Sequence, residues 1–546
     1  MRITNKIMQK NNLSNINTNK IYQDRLSTQM STQKKVNRPS DDPVVAIRAL
    51  RLRSSVTEIT QYYSKNIADA DSWLTVTEQA LKNLAEVVTS LKTEATKGSN
   101  GDLEAKDREV ILEQMKALAN EIYSTGDADY AGRYVFGGYR TNTSLRFPSD
   151  TKRHYEITEQ LDKSIIDEVT HIVTHKTGAD GKPTDDILDW NDSNFDSDEM
   201  DFNDTEIDAV SCHRIRLAYN GCLDVGADGK PANPSITFLH RNDDGTYDQP
   251  PVEWSVENGV IQTVHSYEDP YSMAAKDPDA VIYVPETGEI LLGANRYEEL
   301  AKTKDDPTTS GDEGEIRVTY QKDEWEDGDL RPEHYFYCKS TEFDKDGNLD
   351  SSTELEYNPT YLEGNPERQA IEYDVGFNQT IRINSTADQC FKHGVGREVD
   401  DLVAAMQEVL DIEAVKNKIE KALEGTADDE VEKKTRLQNQ LDAVNKAWTL
   451  SKNKCQRMFE GAITEFQNYL DQANLAITNN GTLSKKLELI DSRMQNQKTT
   501  FETLKSENED VVIEEVAVQL TSAELTYEAA LMATGKVMQT SLLNFI

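Results

Sequence analysis

What this chain lacks narrows it first. It has no run of about twenty apolar residues, so no membrane-spanning helix is expected. The opening MRITNKIMQKNN has no apolar core of the kind a cleaved secretion signal carries. Cysteine is scarce: Cys212, Cys222, Cys338, Cys390 and Cys455 are odd in number, with no CxxC spacing. That argues against a disulfide framework or a cysteine-rich zinc site, and free thiols are expected. Basic residues are outnumbered, 59 Lys+Arg against 98 Asp+Glu, a formal net charge of −39. Nucleic acid and anionic membranes are bound through basic patches, so neither is an expected partner. No P-loop, GxSxG or dinucleotide fingerprint occurs, and neither an enzyme nor a cofactor is expected.

The acidity is not spread evenly. Residues 143–395 hold 22 basic and 55 acidic residues, net −33, while the remainder is net −6. Thirteen of the 15 prolines also lie in 143–395, and none follows Pro366. Two nearly neutral, proline-poor ends therefore flank an acidic, proline-bearing middle. This predicts an α+β chain: an antiparallel long-helix bundle built from both termini, with a mainly β domain inserted between them.

The ends carry the helical period. Leu483, Leu487, Ile490, Met494, Phe501 and Leu504 recur in steps of three and four. After the polar interruption Ser506–Asp510 the pattern resumes at Ile513, Val516, Leu520, Ala523, Tyr527, Ala530, Thr534, Val537 and Ser541. This predicts one narrow apolar seam to the C-terminus, which needs a partner along its length. At the other end, residues 1–41 include six asparagines in the first nineteen positions and only sparse apolar residues such as Ile3, Ile7 and Ile16. Such a segment has too little apolar surface to fold alone and is expected to order on a partner. Asp42 is expected to cap a helix that starts at Pro43 and runs to about Lys97. A shorter helix with Ile111, Met115, Leu118 and Ile122 follows and ends at Gly126. The run Tyr130–Tyr139 reads as a short aromatic strand or hairpin leaving the bundle. From Gly396 the helical period returns in two helices, with a break expected at Asn479-Asn480-Gly481.

The middle changes period. Short alternating runs at 213–219, 235–239, 280–284, 289–292, 315–320, 334–338 and 370–375 predict strands. They suggest one or two small modules. The acidic stretches Asp185–Asp208 and Lys302–Asp329 are expected to be solvated loops. The repeat GADGKP at 178–183 and 226–231 reads as loop. Two local patterns can be weighed against metal chemistry. His171 and His175 have the i, i+4 spacing of a zinc helix, but position 172 is Ile rather than an acid, and the flanking alternation suits a strand. Asp344–Asp350 resembles a calcium loop but lacks a third acidic ligand before its glycine and a downstream Glu, so a hairpin turn is expected. No metal site is expected.

Several motifs together resemble one family. They are Gln29-Met-Ser-Thr32 with Val36-Asn-Arg-Pro-Ser-Asp-Asp-Pro43, Gly132-Arg-Tyr-Val-Phe-Gly-Gly-Tyr-Arg-Thr141, Ile371–Asp388, Asn508-Glu-Asp510 and the terminal stretch Glu524–Ile546. By these the chain resembles the flagellin superfamily. Pro39-Ser-Asp-Asp-Pro43 and the Asn-Phe-Ile ending place it nearer the members that join hook to filament than the filament subunits. The likeness covers about the first 140 and last 170 residues and leaves the insert uncovered.

The resemblance implies a structural, self-assembling protein of the bacterial flagellum. It implies export through the flagellar apparatus without a cleaved signal, and an extracellular place. Expected partners are further copies in a tube, a hook-associated protein on the hook side, flagellin on the filament side and an export chaperone. Residues 1–42 with 505–546 would be terminal assembly helices, disordered in the monomer and forming an inner layer. Residues 43–142 with 396–504 would be the bundle, and 143–395 the outer insert. The expected assembly residues are Ile3, Ile7, Ile16, Ile513, Val516, Leu520, Tyr527, Leu531, Val537, Leu542 and Phe545. The expected structural motif residues are Asn37, Pro39, Asp42, Pro43, Gly132, Tyr134, Phe136 and Gly138. Three alternatives stay open: a filament subunit, a flagellin-like scaffold whose insert is an adhesin or enzyme, and a cytoplasmic coiled-coil scaffold.

Overall fold

The structure is a computed structural model. It describes residues 5–101, 103–177, 183–197, 200–226, 231–239, 251–303, 316–345, 347–359, 361–363 and 369–543. The repeated GADGKP segments fall largely outside these residues. In chain order the helices are α1 (Asn5–Thr32), α2 (Pro43–Gln61), α3 (Ile67–Gly98), α4 (Ala105–Gly126), α5 (Pro270–Lys276), α6 (Ala294–Ala301), α7 (Ala387–Cys390), α8 (Gly394–Gly425), α9 (Val431–Glu509) and α10 (Ile513–Leu543). The chain divides into two compact units, one of Met1–Asp71, Glu372–Ile381 and Ser484–Ile546, the other of Ser72–Ile371 and Arg382–Leu483.

In the first unit both ends of the chain meet. The Asp42 carboxylate accepts from the Val44 and Val45 amides at 3.0 and 3.1 Å, and Pro43 supplies a first-turn residue with no orphan N–H. The helix expected to run unbroken from Pro43 is interrupted by a π-turn at Tyr62–Asn66. A hairpin of strands Glu372–Gly376 and Gln379–Arg382 sits beside it. The Asn66 amide donates to the Asp374 carbonyl at 2.8 Å, and the Tyr62 and Phe377 rings meet edge to face at 5.8 Å. A π-turn leaves backbone and side-chain groups out of the regular ladder, and the hairpin takes up one of them.

The second unit pairs helices from the two ends in antiparallel fashion. Along α3 and α9 the partners run in opposite senses: Leu74 with Asn480, Lys92 with Gln467, Gly98 with Phe459. Gly98 has no room for a side chain, since a Cβ would meet the Phe459 ring at 2.4 Å. α4 and α8 run likewise, with Arg108 on Glu413 and the Tyr123 hydroxyl on the His393 carbonyl. The seam is Trp73, Leu81, Leu84, Val88 and Leu91 of α3 and Phe459, Phe466 and Ala473 of α9, all buried.

The insert contains two main sheets. A six-stranded antiparallel sheet has Thr151–Leu161 and Ile316–Trp325 near its centre and Leu349–Tyr357 and Val252–Ser255 at its edges. Its core is aromatic: Trp325 stacks on Phe147 at 5.0 Å and takes the Tyr155 edge at 5.0 Å. A five-stranded sheet runs from Gln262–Thr263 through Val281–Val284, Glu289–Leu292 and Asp208–Arg216 to Asp167–Val173. The α+β class and the two-ended helical bundle stand as expected.

Four further expectations are corrected. Asn479-Asn480-Gly481 does not break the chain: α9 runs through it for 79 residues. Asn480 is buried there and its amide donates to the Leu74 carbonyl at 2.9 Å, so a residue common in turns is spent on a helix–helix contact. Asp185–Asp208 is not merely a solvated loop, since Ile187, Trp190, Met200, Phe202 and Ile207 are buried against Ile412, Val415, Ile419, Leu437 and Val444. The Trp190 indole donates to Gln440 Oε1 at 3.0 Å, and Gln440 donates to the Phe195 and Met200 carbonyls, which satisfies the one amide in that core. Lys302–Asp329 contains the buried strand Ile316–Trp325. His334 lies in a short 3₁₀ turn begun by Pro332, and the strand starts only at Tyr337.

Candidate assembly interface

α1 has little to bury, and what it buries is set against α10. Leu26 is covered by Val516 and Ala523, with Val511 and Leu520 packed beside them. The two helices are antiparallel, as Lys34 faces Asp510 while Tyr22 faces Gln519. Over two helices of 28 and 31 residues only these three apolar side chains are fully covered among the described residues. Ile7, Leu13, Ile21, Val518, Leu525 and Met532 remain exposed.

The connections between the terminal helices and α2 and α9 cross at one point. The Lys35 amide donates to the Glu509 carbonyl at 2.7 Å and the Val511 amide donates to the Gln33 carbonyl at 3.1 Å, a single rung of β-bridge. Gln33 itself has φ 58°, which turns the chain out of α1. Gln29 closes the turn by donating to the Lys35 carbonyl at 2.6 Å.

Three consecutive side chains of the α9 end then fasten the crossing. The Asn508 amide donates to the Val45 carbonyl at 3.2 Å. Glu509 is buried and receives the Arg53 guanidinium on both oxygens, at 2.6 and 2.7 Å. Lys34 pairs with Asp510 and lies 3.5 Å from Glu509. The hydrogen bond from Arg53 holds the Glu509 carboxyl below the usual carboxylate range, and that from Lys34 does the same for Asp510. The Lys34 ammonium is raised in turn, mainly by its hydrogen bond to Asp510. A bidentate guanidinium–carboxylate contact fixes direction as well as distance, so this is a joint of defined geometry.

The expected assembly residues divide. Val516 is buried in the α1–α10 contact, Leu520 packs on it, and Ile16 and Tyr527 are half-buried. Ile7, Ile513 and Leu531 are exposed. Ile3 and Phe545 lie outside the described residues, and of Val537 and Leu542 only the backbone is described. Asn37 and Pro39 are exposed in the crossing loop ahead of Asp42 and Pro43. Gly132, Tyr134, Phe136 and Gly138 belong to the second unit. Gly132 (φ 76°) turns the hairpin, Tyr134 donates its amide to the Thr141 carbonyl at 2.7 Å, and Phe136 meets Phe391 edge to face at 4.8 Å. Gly138 (φ 59°) lies against Gln369. Sequence reasoning passed over Lys34, Arg53 and Glu509 as individual residues. The signal was present in the polar Asn508-Glu509-Asp510 placed where the apolar period stops.

A cleft of about 900 Å³ is lined by the strand Asp167–Val173, the start of α8 and the middle of α9. Its wall holds Arg214, donating to Asp167, Glu289 and Asp401, and Arg216, donating to Glu398 and Asp401. Burial alone would raise the Asp401 carboxyl, but the two guanidiniums outweigh it and hold it low. This arrangement braces a sheet on a helix. His171 lies in a strand with its ring stacked on Tyr271 at 4.6 Å, and the His175 side chain is outside the described residues. Phe343 and Leu349 pair across the hairpin turn that includes Asp344.

Comparison with known proteins agrees with the terminal architecture. Residues 3–141 match the bacterial flagellin N-terminal helical region. Flagellar hook-associated protein 3 of Salmonella typhimurium is 27% identical over 184 residues, 33% of this chain and 56% of that protein. The protein of the same name from Escherichia coli K12 is 28% identical over 145 residues, 26% of this chain and 45% of that protein. The chain thus spans about half the length of the curated relatives it matches. Among solved structures, a putative flagellar hook-associated protein of Vibrio parahaemolyticus shares 13% identity at a TM-score of 0.31, covering 86% of this chain and all of that one. These structural likenesses are too low in score to define a shared fold.

Proposed function

We propose that this chain, a flagellin-superfamily protein by its N-terminal helical region 3–141, is a structural subunit that joins hook to filament in the bacterial flagellum. The observation that carries the reading is the α1–α10 pair, which covers three apolar side chains and leaves eleven large ones exposed among the described residues. A pair with so little burial gains its remaining stability from neighbours, and helices that complete one another head to tail build an open tube. The names of the curated relatives, flagellar hook-associated protein 3, favour the junction over the filament.

On this reading residues 1–42 with 505–546 assemble, 43–142 with 396–504 form a supporting bundle, and 143–395 carry the acidic surface toward solvent. The role is mechanical rather than catalytic. Export through the flagellar apparatus precedes assembly, with a hook-associated protein and flagellin as flanking partners and a chaperone for the C-terminal helix before export. The second reading, a filament subunit, draws on the flagellin match at 3–141.

The test is location and dependence. The full chain is expected in flagella sheared from cells, at few copies per filament, and a chain lacking residues 505–546 is expected to be secreted but absent from them. Copies distributed along the whole filament would favour the second reading. Assembly of the truncated chain would remove the role given to α10.

A further inference from the structure

Resting on that reading, we infer that the outward face of α2 in one copy packs on the outward face of α10 in the next. Both faces are uncovered within a single chain. On α2, Val44, Ile47 and Leu50 are 61%, 54% and 63% exposed, and Arg48 and Arg51 are exposed beside them. At about 100° per residue these five side chains share one side of the helix, turned from the half-buried Val45, Ala49 and Leu52. On α10, Val516 and Ala523 are taken up by α1, whereas Val518 and Leu525 are 71% and 64% exposed on the opposite side. Glu514 stands one turn before Val518 on that same side, and exposed Glu515 flanks it.

The argument for the occupant is charge. In a chain of net −39, α2 has three arginines and one acidic residue. Arg53 is spent on Glu509, but among the described residues no ion pair joins Arg48 or Arg51 to any carboxylate. Glu514 and Glu515 are likewise without a cation; Glu515 accepts a hydrogen bond from Gln519 at 3.1 Å. An apolar stripe edged by two arginines and an apolar stripe edged by two glutamates are complementary in both respects. Because the two surfaces differ, the contact is heterologous, and repeating it gives an open assembly rather than a closed dimer.

The test uses full-length chains in cells whose own copy is replaced, read as subunits recovered in sheared flagella. R48E/R51E is expected to lower recovery roughly tenfold or more, and E514K/E515K likewise, because like charges then face each other. The four-site combination is expected to restore it. Urea midpoints matching wild type show that the variants fold. An Ile47→Cys/Val518→Cys chain is expected to give species of twice the chain mass on mild oxidation, the native cysteines all being buried. Unchanged recovery in both reversals, or no rescue in the combination, overturns the contact and leaves the junction role standing. Absence of wild type from sheared flagella overturns the junction role itself.

Discussion

Arg53 lays its guanidinium flat against Glu509, with Nε and Nη2 at 2.6 and 2.7 Å from the two carboxylate oxygens. The two residues lie on α2 and at the last position of α9, so the contact ties the start of the helical bundle to the place where the terminal helix departs. Arg53 is half exposed and Glu509 is not, 53% against 4% for the side chains, so solvent screens one end of the pair. A coupling of about 1 kcal/mol is expected for the pair. A double-mutant cycle of Arg53→Ala and Glu509→Ala in urea unfolding measures it, and additive losses would show that the two act independently.

The crossing should weaken in acid. Glu509 and Asp510 are both held below their ordinary values of 4.5 and 3.8. A carboxylate with a depressed folded pKa stabilises fully above its unfolded pKa, and that stabilisation is lost as pH falls through the folded value. Amide exchange at Lys35 and Val511, corrected for intrinsic rates, is therefore expected to speed up below about pH 4. Equal protection at pH 3 and pH 7 would deny these carboxylates a part.

Glu159 has the opposite sign. It is fully buried in the six-stranded sheet, with Tyr320 and the Ala218 amide donating to one oxygen, and burial pushes its carboxyl up to about 7. The folded state then binds a proton that the unfolded chain releases near 4.5, so stability falls as pH rises between 4.5 and about 7. The urea midpoint of the second unit is expected to be lower at pH 8 than at pH 5.5, and Glu159→Gln to flatten that slope. A wild-type slope persisting in Glu159→Gln would assign it elsewhere.

Trp190 tests the acidic stretch that turned out to carry a core. Trp190→Ala removes a buried indole and its hydrogen bond to Gln440, at an expected cost of about 3–5 kcal/mol. Proteolysis within residues 187–207 is expected to accelerate in the variant and to be slow in wild type. Equal rates would return the stretch to solvent.

Gly138 and Gly132 separate strain from contact. Both have positive φ, 59° and 76°. A Cβ at Gly138 would meet Gln369 Oε1 at 2.0 Å, while at Gly132 nothing lies within 4 Å. Gly132→Ala is expected to cost about 1 kcal/mol from backbone alone, and Gly138→Ala more, by thermal unfolding.

The residue pattern by itself determined the alternation of class along the chain. Steps of three and four marked the helical ends, period two marked the insert, and proline and charge marked the boundary between them. These are local properties, written into each window of sequence by the geometry of a helix or a strand. It also determined the start of α2, because an Asp before a Pro is a cap whose atoms lie within one turn. Tertiary structure decided the rest. Whether Asn480 ends a helix or bridges two depends on Leu74, some four hundred residues away. Whether Trp190 is loop or core depends on the α8–α9 hairpin it covers. Glu509 sits in a polar run that stops the seam, and only the return of Arg53 and Lys34 across the fold makes it the buried centre of a joint. A polar side chain in sequence carries no mark of its eventual partner, and the partner alone determines whether burying it is costly or stabilising.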